Sequence, residues 1–175
     1  MASAVMSGLL YAAEVWKAAM KWGSAMASMN RMIRLLAVRI CSAYRTVQAD
    51  DVMVVAGICP AEVAVEARAK RWDRDKVYAE WQARWARRES WTKTLIPEVR
   101  EWCERGYGEV DYYVTQFLTG HGENGRYLER IKKRNDGRCV DCGEYPRKGD
   151  QGSRAREAVV TSTAAAGHGR EECQW

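Results

Sequence analysis

The sequence predicts an all-α protein. Apolar residues recur three and four positions apart through most of the first 136 residues, which places them on one face of a helix. Only three Pro occur in 175 residues, too few for the turn-rich connections of a β-sandwich. A run from Ala61 to Arg88 contains neither Gly nor Pro, the two residues that most often interrupt a helix. The composition, 47% hydrophobic and 29% charged, is sufficient for a buried core.

Composition divides the chain into three parts. Residues 1–58 are rich in Ala and Met and sparsely charged. Leu9, Leu10, Ala13, Val15, Trp16 and Met20 share one helical face, and Met29, Met32, Ile33, Leu36, Ala37, Ile40 and Tyr44 share another. Gly23 and Ser24 punctuate the two, with Ser24 expected as an N-cap. Thr46 to Asp51 reads as a turn, with Asp50 and Asp51 capping a short buried helix that ends before Gly57 and Pro60.

Residues 59–136 carry more charge. Pro60 is expected at the first helical position of one long helix reaching Arg88, with a partial aromatic stripe of Trp72, Val77, Trp81 and Trp85. Arg84, Arg87 and Arg88 gather at its C-terminal end, where the helix dipole favours cations. Ser90 is expected to cap a helix holding Leu95, Ile96, Val99 and Trp102, with Pro97 in an early turn or at a kink. Gly106 and Gly108 break the chain. Tyr112, Tyr113, Phe117 and Leu118 then form a further short helix that stops at Gly120 and Gly122. Tyr127, Leu128 and Ile131 give the last helix, followed by Lys132, Lys133 and Arg134.

Residues 137–175 have almost no apolar periodicity and are expected to be poorly ordered unless stapled. The staple on offer is Cys139-Val-Asp-Cys142, with Gly143 permitting a tight turn, together with His168 and Cys173. Three thiolates and an imidazole make a tetrahedral zinc set, and zinc is the one cofactor expected. The alternative is a pair of unrelated thiols, since the stretch between Cys142 and His168 is long and featureless. Cys41, Cys59 and Cys103 stand singly and read as small core hydrophobes in a reducing compartment.

Several functional classes are excluded. No uncharged apolar run approaches the ~20 residues that span a bilayer, and the apolar start lacks a basic leader and meets Glu14 early. An intracellular location, nuclear or cytoplasmic, follows as the expectation. No Ser-His-Asp or Cys-His arrangement and no Gly-rich phosphate loop is present, so no catalytic residue is assigned. The net charge of +5 and a pI near 8.9 permit a nucleic-acid partner.

A series of phrases carries a resemblance. Leu9-Leu10-Tyr11-Ala12-Ala13-Glu14-Val15-Trp16 comes first, then Arg39-Ile40-Cys41-Ser42-Ala43-Tyr44-Arg45-Thr46-Val47, which leads into Ala56-Gly57-Ile58-Cys59-Pro60. Trp81, Trp85, Trp91, Leu95-Ile96-Pro97 and Trp102 follow, then Thr115-Gln116-Phe117-Leu118-Thr119-Gly120-His121-Gly122 with Tyr127-Leu128, and last the Cys139/Cys142 and His168/Cys173 pairs with Trp175. In this order they resemble the C-terminal third of the reverse transcriptases of insect non-long-terminal-repeat retrotransposons, of the Jockey and ribosomal-insertion clades.

The resemblance implies a thumb-like region over 1–58, Trp-rich connecting helices over 59–136 and a degenerate zinc knuckle over 137–175. It implies a parent RNA-directed DNA polymerase whose catalytic aspartates lie outside the matched phrases, so that this chain alone is expected to be inactive. The partners implied are RNA and DNA, as primer–template or target, with the palm and fingers of a full-length polymerase. Phosphate contacts are expected from Arg31, Arg34, Arg84, Arg87, Arg88, Lys132, Lys133 and Arg134, with Tyr145 stacking beside the knuckle. The Trp residues keep a packing role with a ring N–H to satisfy, and His121 is expected as a hydrogen-bonded structural group at a helix end. A domesticated nucleic-acid-binding module remains open, as does a stand-alone helical interaction protein with a Trp-rich face.

Overall fold

The computed structural model describes residues 6–8, 10–11, 23–106, 110–121 and 125–138. The expected helix over Leu9–Met20 and the whole cysteine–histidine segment, including Tyr145, lie largely or wholly outside them. From Gly23 onward the described residues form eight helices and no strand, so the chain is all-α.

Helix α1 runs Gly23–Ile40 and buries Ile33 and Ala37, one turn apart. It includes Ser24, which is therefore helical rather than the cap expected of it. Helix α2, Ala49–Val55, is buried on every side from Val52 to Val55. Three β-branched residues in four is poor helix propensity, and burial against neighbours on both faces overrides it. Val52 and Met53 pack with Ile33, Ala37, Val47, Ile58 and Ala61, whereas Val54 and Val55 pack with Cys41, Trp81, Trp85, Ile96, Val99 and Leu118. This short helix thus joins two hydrophobic clusters, and contacts cross the compositional boundary at residue 58. Gly57 at φ +66° closes α2, with Ile58 N–H donating to the Met53 carbonyl and Gly57 N–H to that of Val54.

The single long helix expected over 60–88 is two helices. Helix α3, Ala61–Lys70, ends where Arg71 enters the left-handed region, and α4, Arg74–Ala86, begins after Asp73. The Asp73 carboxylate accepts from Lys76 N–H at 2.8 Å, a side-chain cap that restarts the helix without Gly or Pro. Pro60 stands at the N-cap of α3 rather than inside it and has no side chain to cap with. Asn30 of α1 replaces it, accepting from Ala61 N–H at 3.1 Å and donating to Glu62 at 2.7 Å.

The helix expected after Ser90 is also divided. Ser90 caps α5, Trp91–Leu95, as expected, accepting from Lys93 N–H, but Pro97 separates it from α6, Val99–Glu104. Gln82 of α4 spans the break, donating to the Pro97 carbonyl and accepting from Val99 N–H, both at 2.9 Å. Helix α7, Tyr112–Thr119, starts at its Asp111 cap and ends at Gly120. Helix α8, Gly125–Arg130, closes with Lys132 in the left-handed region.

The tryptophans act as the sequence implies. Trp81 and Trp85 are buried, and Trp85 donates its ring N–H to the Ile96 carbonyl at 2.8 Å. Trp91 and Trp102 do the same to Phe117 at 2.8 Å and Val55 at 3.2 Å. Each bond fastens one helix to a carbonyl of another segment. Cys41 is buried and Cys59 and Cys103 are half-buried, all packed with the cluster around Trp81 and Trp85.

Candidate nucleic-acid interface

The eight expected phosphate-binding residues do not share one surface role. Arg84 is committed to the fold. Its guanidinium meets Asp50 at 2.9 Å and Glu62 at 3.2 Å, and Arg88 approaches the other Asp50 oxygen at 3.6 Å. Burial works against the Arg84 charge, but the hydrogen bond and charge of Asp50 outweigh it and leave the group held above the usual arginine range. Asp50 and Asp51 therefore do not cap α2, whose N-cap is Gln48. Asp50 gathers two arginines, and buried Asp51 accepts from the Ser90 hydroxyl at 2.8 Å. Burial raises the Asp51 carboxyl, with the Ser90 bond opposing.

Arg34 is likewise occupied, donating to the carbonyls of Arg45 and, at 3.0 Å, Val47. It holds the loop between α1 and α2. Arg31 and Arg87 are exposed and have no ion-pair partner among the described residues. Lys132 and Lys133 are exposed just past α8, and Arg134 beside them pairs with Asp136 at 3.3 Å. Cys139, Cys142, His168 and Cys173 lie outside the described residues. Among the described residues no three His, Cys, Asp or Glu side chains are grouped to hold a metal ion.

The residues near Lys132 include a group that sequence reading missed. Tyr44, from the loop after α1, donates or accepts a hydroxyl hydrogen bond with Tyr112 at 2.8 Å, 68 positions away. The Tyr44 ring lies nearly parallel to that of Tyr127, 12° between planes and 6.2 Å between centres. His121 sits against both, 5.8 Å from Tyr44 and 4.9 Å from Tyr127. Arg130 lies over the outer part of this group, 5.2 Å from the Tyr127 ring centre. Tyr113 packs edge-on against Tyr112 and is itself 79% exposed. Each tyrosine reads locally as an ordinary helix or loop residue. Only the close of α7 at Gly120 and the return of α8 bring them together.

His121 is the structural group expected. Its Nδ1 lies 2.8 Å from the Thr119 carbonyl, which only accepts, so Nδ1 carries the proton. Burial lowers its pKa, the Thr119 bond opposes, and the Arg130 charge lowers it further. Burial disfavours the thiolate form of the described cysteines, pushing Cys41 and Cys103 up to about 11 and Cys59 to about 12.

No helix among the described residues is long and apolar enough to cross a membrane. Compared with known protein families, with curated proteins and with solved structures, the chain matches none.

Proposed function

We propose that this chain is part of an RNA-directed DNA polymerase of the non-long-terminal-repeat retrotransposon kind, and that its share of the work is to hold RNA and DNA by their backbones. The serial order of the sequence phrases supports the family. The observation that carries the binding role is the exposed cationic end of α8. There Arg130, Lys132 and Lys133 point from one turn with no ion-pair partner among the described residues, while other arginines are spent on Asp50 and Glu62. Cations left free at a surface attract phosphate, and binding through them is largely independent of base sequence.

The palm and fingers of the polymerase are the protein partners in this reading, and the setting is the nucleus or cytoplasm. Cys139, Cys142, His168 and Cys173 supply a Cys3His donor set whose chemistry suits zinc. A Trp-rich interaction face has less support, because the described tryptophans are buried or half-buried and three ring N–H groups are already bonded.

The test is equilibrium binding of labelled RNA and DNA to the full chain across a salt series. A steep fall in affinity with salt is expected on both. Affinity that ignores salt, or no binding at low salt, overturns the reading.

A further inference from the structure

The tyrosine corner has a chemistry that phosphate binding leaves unused. Tyr44, Tyr112 and Tyr127 form one contiguous aromatic surface with His121 beneath it, and Tyr113 extends it into solvent. Tyr113 at 79% exposed and Tyr112 at 42% have flat faces open to a ligand. A tyrosine this exposed adds nothing to a core, and an aromatic surface in water is costly unless something covers it. The adjoining charges are mainly positive: Arg130 stands on the Tyr127 ring, Lys132 and Lys133 follow within the same turn, and Glu129 is the one acid in that stretch of sequence. Asp111, the nearby acid on α7, is engaged in capping Val114 N–H.

Exposed rings beside cations that have no ion-pair partner among the described residues suit a ligand with flat aromatic faces linked by anions at short spacing. A duplex presents phosphates and base edges but hides its base faces, which are stacked on each other. A single strand offers both groups at once. Resting on the nucleic-acid reading above, we infer that Tyr112 and Tyr113, backed by the packed Tyr44 and Tyr127 rings, form a stacking platform for unpaired bases, with Arg130, Lys132 and Lys133 holding the flanking phosphates. The platform selects single strands over duplex. Every base has a π face, so it selects little by sequence, and RNA and DNA single strands share the chemistry it recognises.

The experiment compares the full chain with Tyr113→Ala and Tyr113→Phe for binding to oligouridine, oligodeoxythymidine and a duplex of equal length. Tyr113 is so exposed that its removal leaves the fold intact, which circular dichroism checks. Tyr113→Ala is expected to weaken single-strand binding roughly fivefold or more and to leave duplex binding and the salt slope unchanged. Tyr113→Phe keeps the ring and keeps the affinity. Irradiation of a 5-bromouridine strand is expected to cross-link at Tyr112 or Tyr113. RNA tighter than DNA, or the reverse, assigns the strand type. Wild-type single-strand affinity in Tyr113→Ala, or equal losses on duplex and single strand, overturns the platform but leaves phosphate binding standing. If the wild-type chain binds no nucleic acid, both readings fall.

Discussion

Arg84 of α4 donates to the Asp50 carboxylate of α2 across 34 positions of sequence, at 2.9 Å, and reaches Glu62 of α3 with its other amino group. One side chain thus ties three helices where the two hydrophobic clusters meet. Asp50 is 20% exposed and Arg84 37%, so the pair is only partly screened by water. Asp50→Ala removes the acceptor for Arg84 and Arg88 together and is expected to cost about 1–2 kcal/mol in urea unfolding, with the m-value unchanged. Arg84→Ala is expected to lower stability similarly and, at equal folded fraction, to leave nucleic-acid affinity unaltered. A loss of affinity beyond the loss of folded chain would return Arg84 to the binding surface.

The two described glycines with positive φ, Gly57 and Gly120, differ in what surrounds them. A Cβ at Gly57 meets only the Cys103 sulfur at 3.8 Å, whereas at Gly120 it meets Trp91 Cδ1 at 3.1 Å. Trp91 is fastened by its bond to the Phe117 carbonyl and has little room to yield. Gly57→Ala is expected to cost about 1 kcal/mol from the left-handed backbone alone. Gly120→Ala adds crowding to the same strain and is expected to cost about 2 kcal/mol or more. Chemical denaturation of the two variants side by side gives the comparison, and equal losses would show that Trp91 relaxes freely.

These glycines mark where sequence was informative. Gly57 and Gly120 end their helices as read, and Ser90 caps where a short polar side chain precedes an apolar run. The break at Arg71–Asp73 was not legible, because it uses neither Gly nor Pro. It depends on an arginine accepting a left-handed conformation and on an aspartate that also reads as an ordinary helix-surface residue. Asp50 and Arg84 each have a sufficient local explanation in the sequence, as a cap and as a dipole partner. Their pairing is a tertiary fact. The tyrosine corner was missed for the same reason: Tyr44 and Tyr112 share a hydrogen bond across 68 positions, and no local spacing encodes it.

His121 makes stability depend on pH. Its folded-state pKa is depressed below the ordinary 6.5 by burial, so folding favours the neutral ring. The stability tied to that preference is complete above pH 6.5 and is lost as pH falls from there through the folded-state value. Protonation would place a second cation near Arg130 and against the Tyr44 and Tyr127 rings. His121→Asn is expected to flatten the decline in thermal midpoint just below pH 6.5 relative to the wild-type chain, whatever its effect at neutral pH. An unchanged slope would assign the decline to other groups.

Zinc binding has a mass-spectrometric outcome. Under native conditions the freshly reduced chain is expected to carry one zinc ion, because thiolates and imidazole in a Cys3His set fill a tetrahedral shell. Cys139→Ser removes one thiolate and is expected to abolish the bound form, while Cys59→Ser, within the packed helices, leaves it intact. Acid releases the metal from the wild-type chain as the ligands take up protons. A metal-free reduced chain would remove zinc from the account and leave the four residues as unrelated side chains.

The charge at the end of α8 makes the most direct prediction for nucleic acid. Each lysine that neutralises a phosphate releases a condensed counterion, which contributes roughly 0.7 to the log–log salt slope on a single strand and 0.9 on duplex. Lys132 and Lys133 are exposed and unpaired among the described residues, so replacing both with Ala removes contacts without disturbing packing. Lys132 adopts a left-handed backbone at φ +57°, but Lys and Ala carry the same Cβ and meet the same strain there. The double variant is therefore expected to keep its unfolding midpoint. Its salt slope is expected to be shallower by roughly 1.4 on single strands and 1.8 on duplex. Arg134 already pairs with Asp136, so Arg134→Ala is expected to change the slope less than either lysine. A double variant with the wild-type slope would move the phosphate contacts away from α8, with exposed Arg31 and Arg87 the next residues to replace.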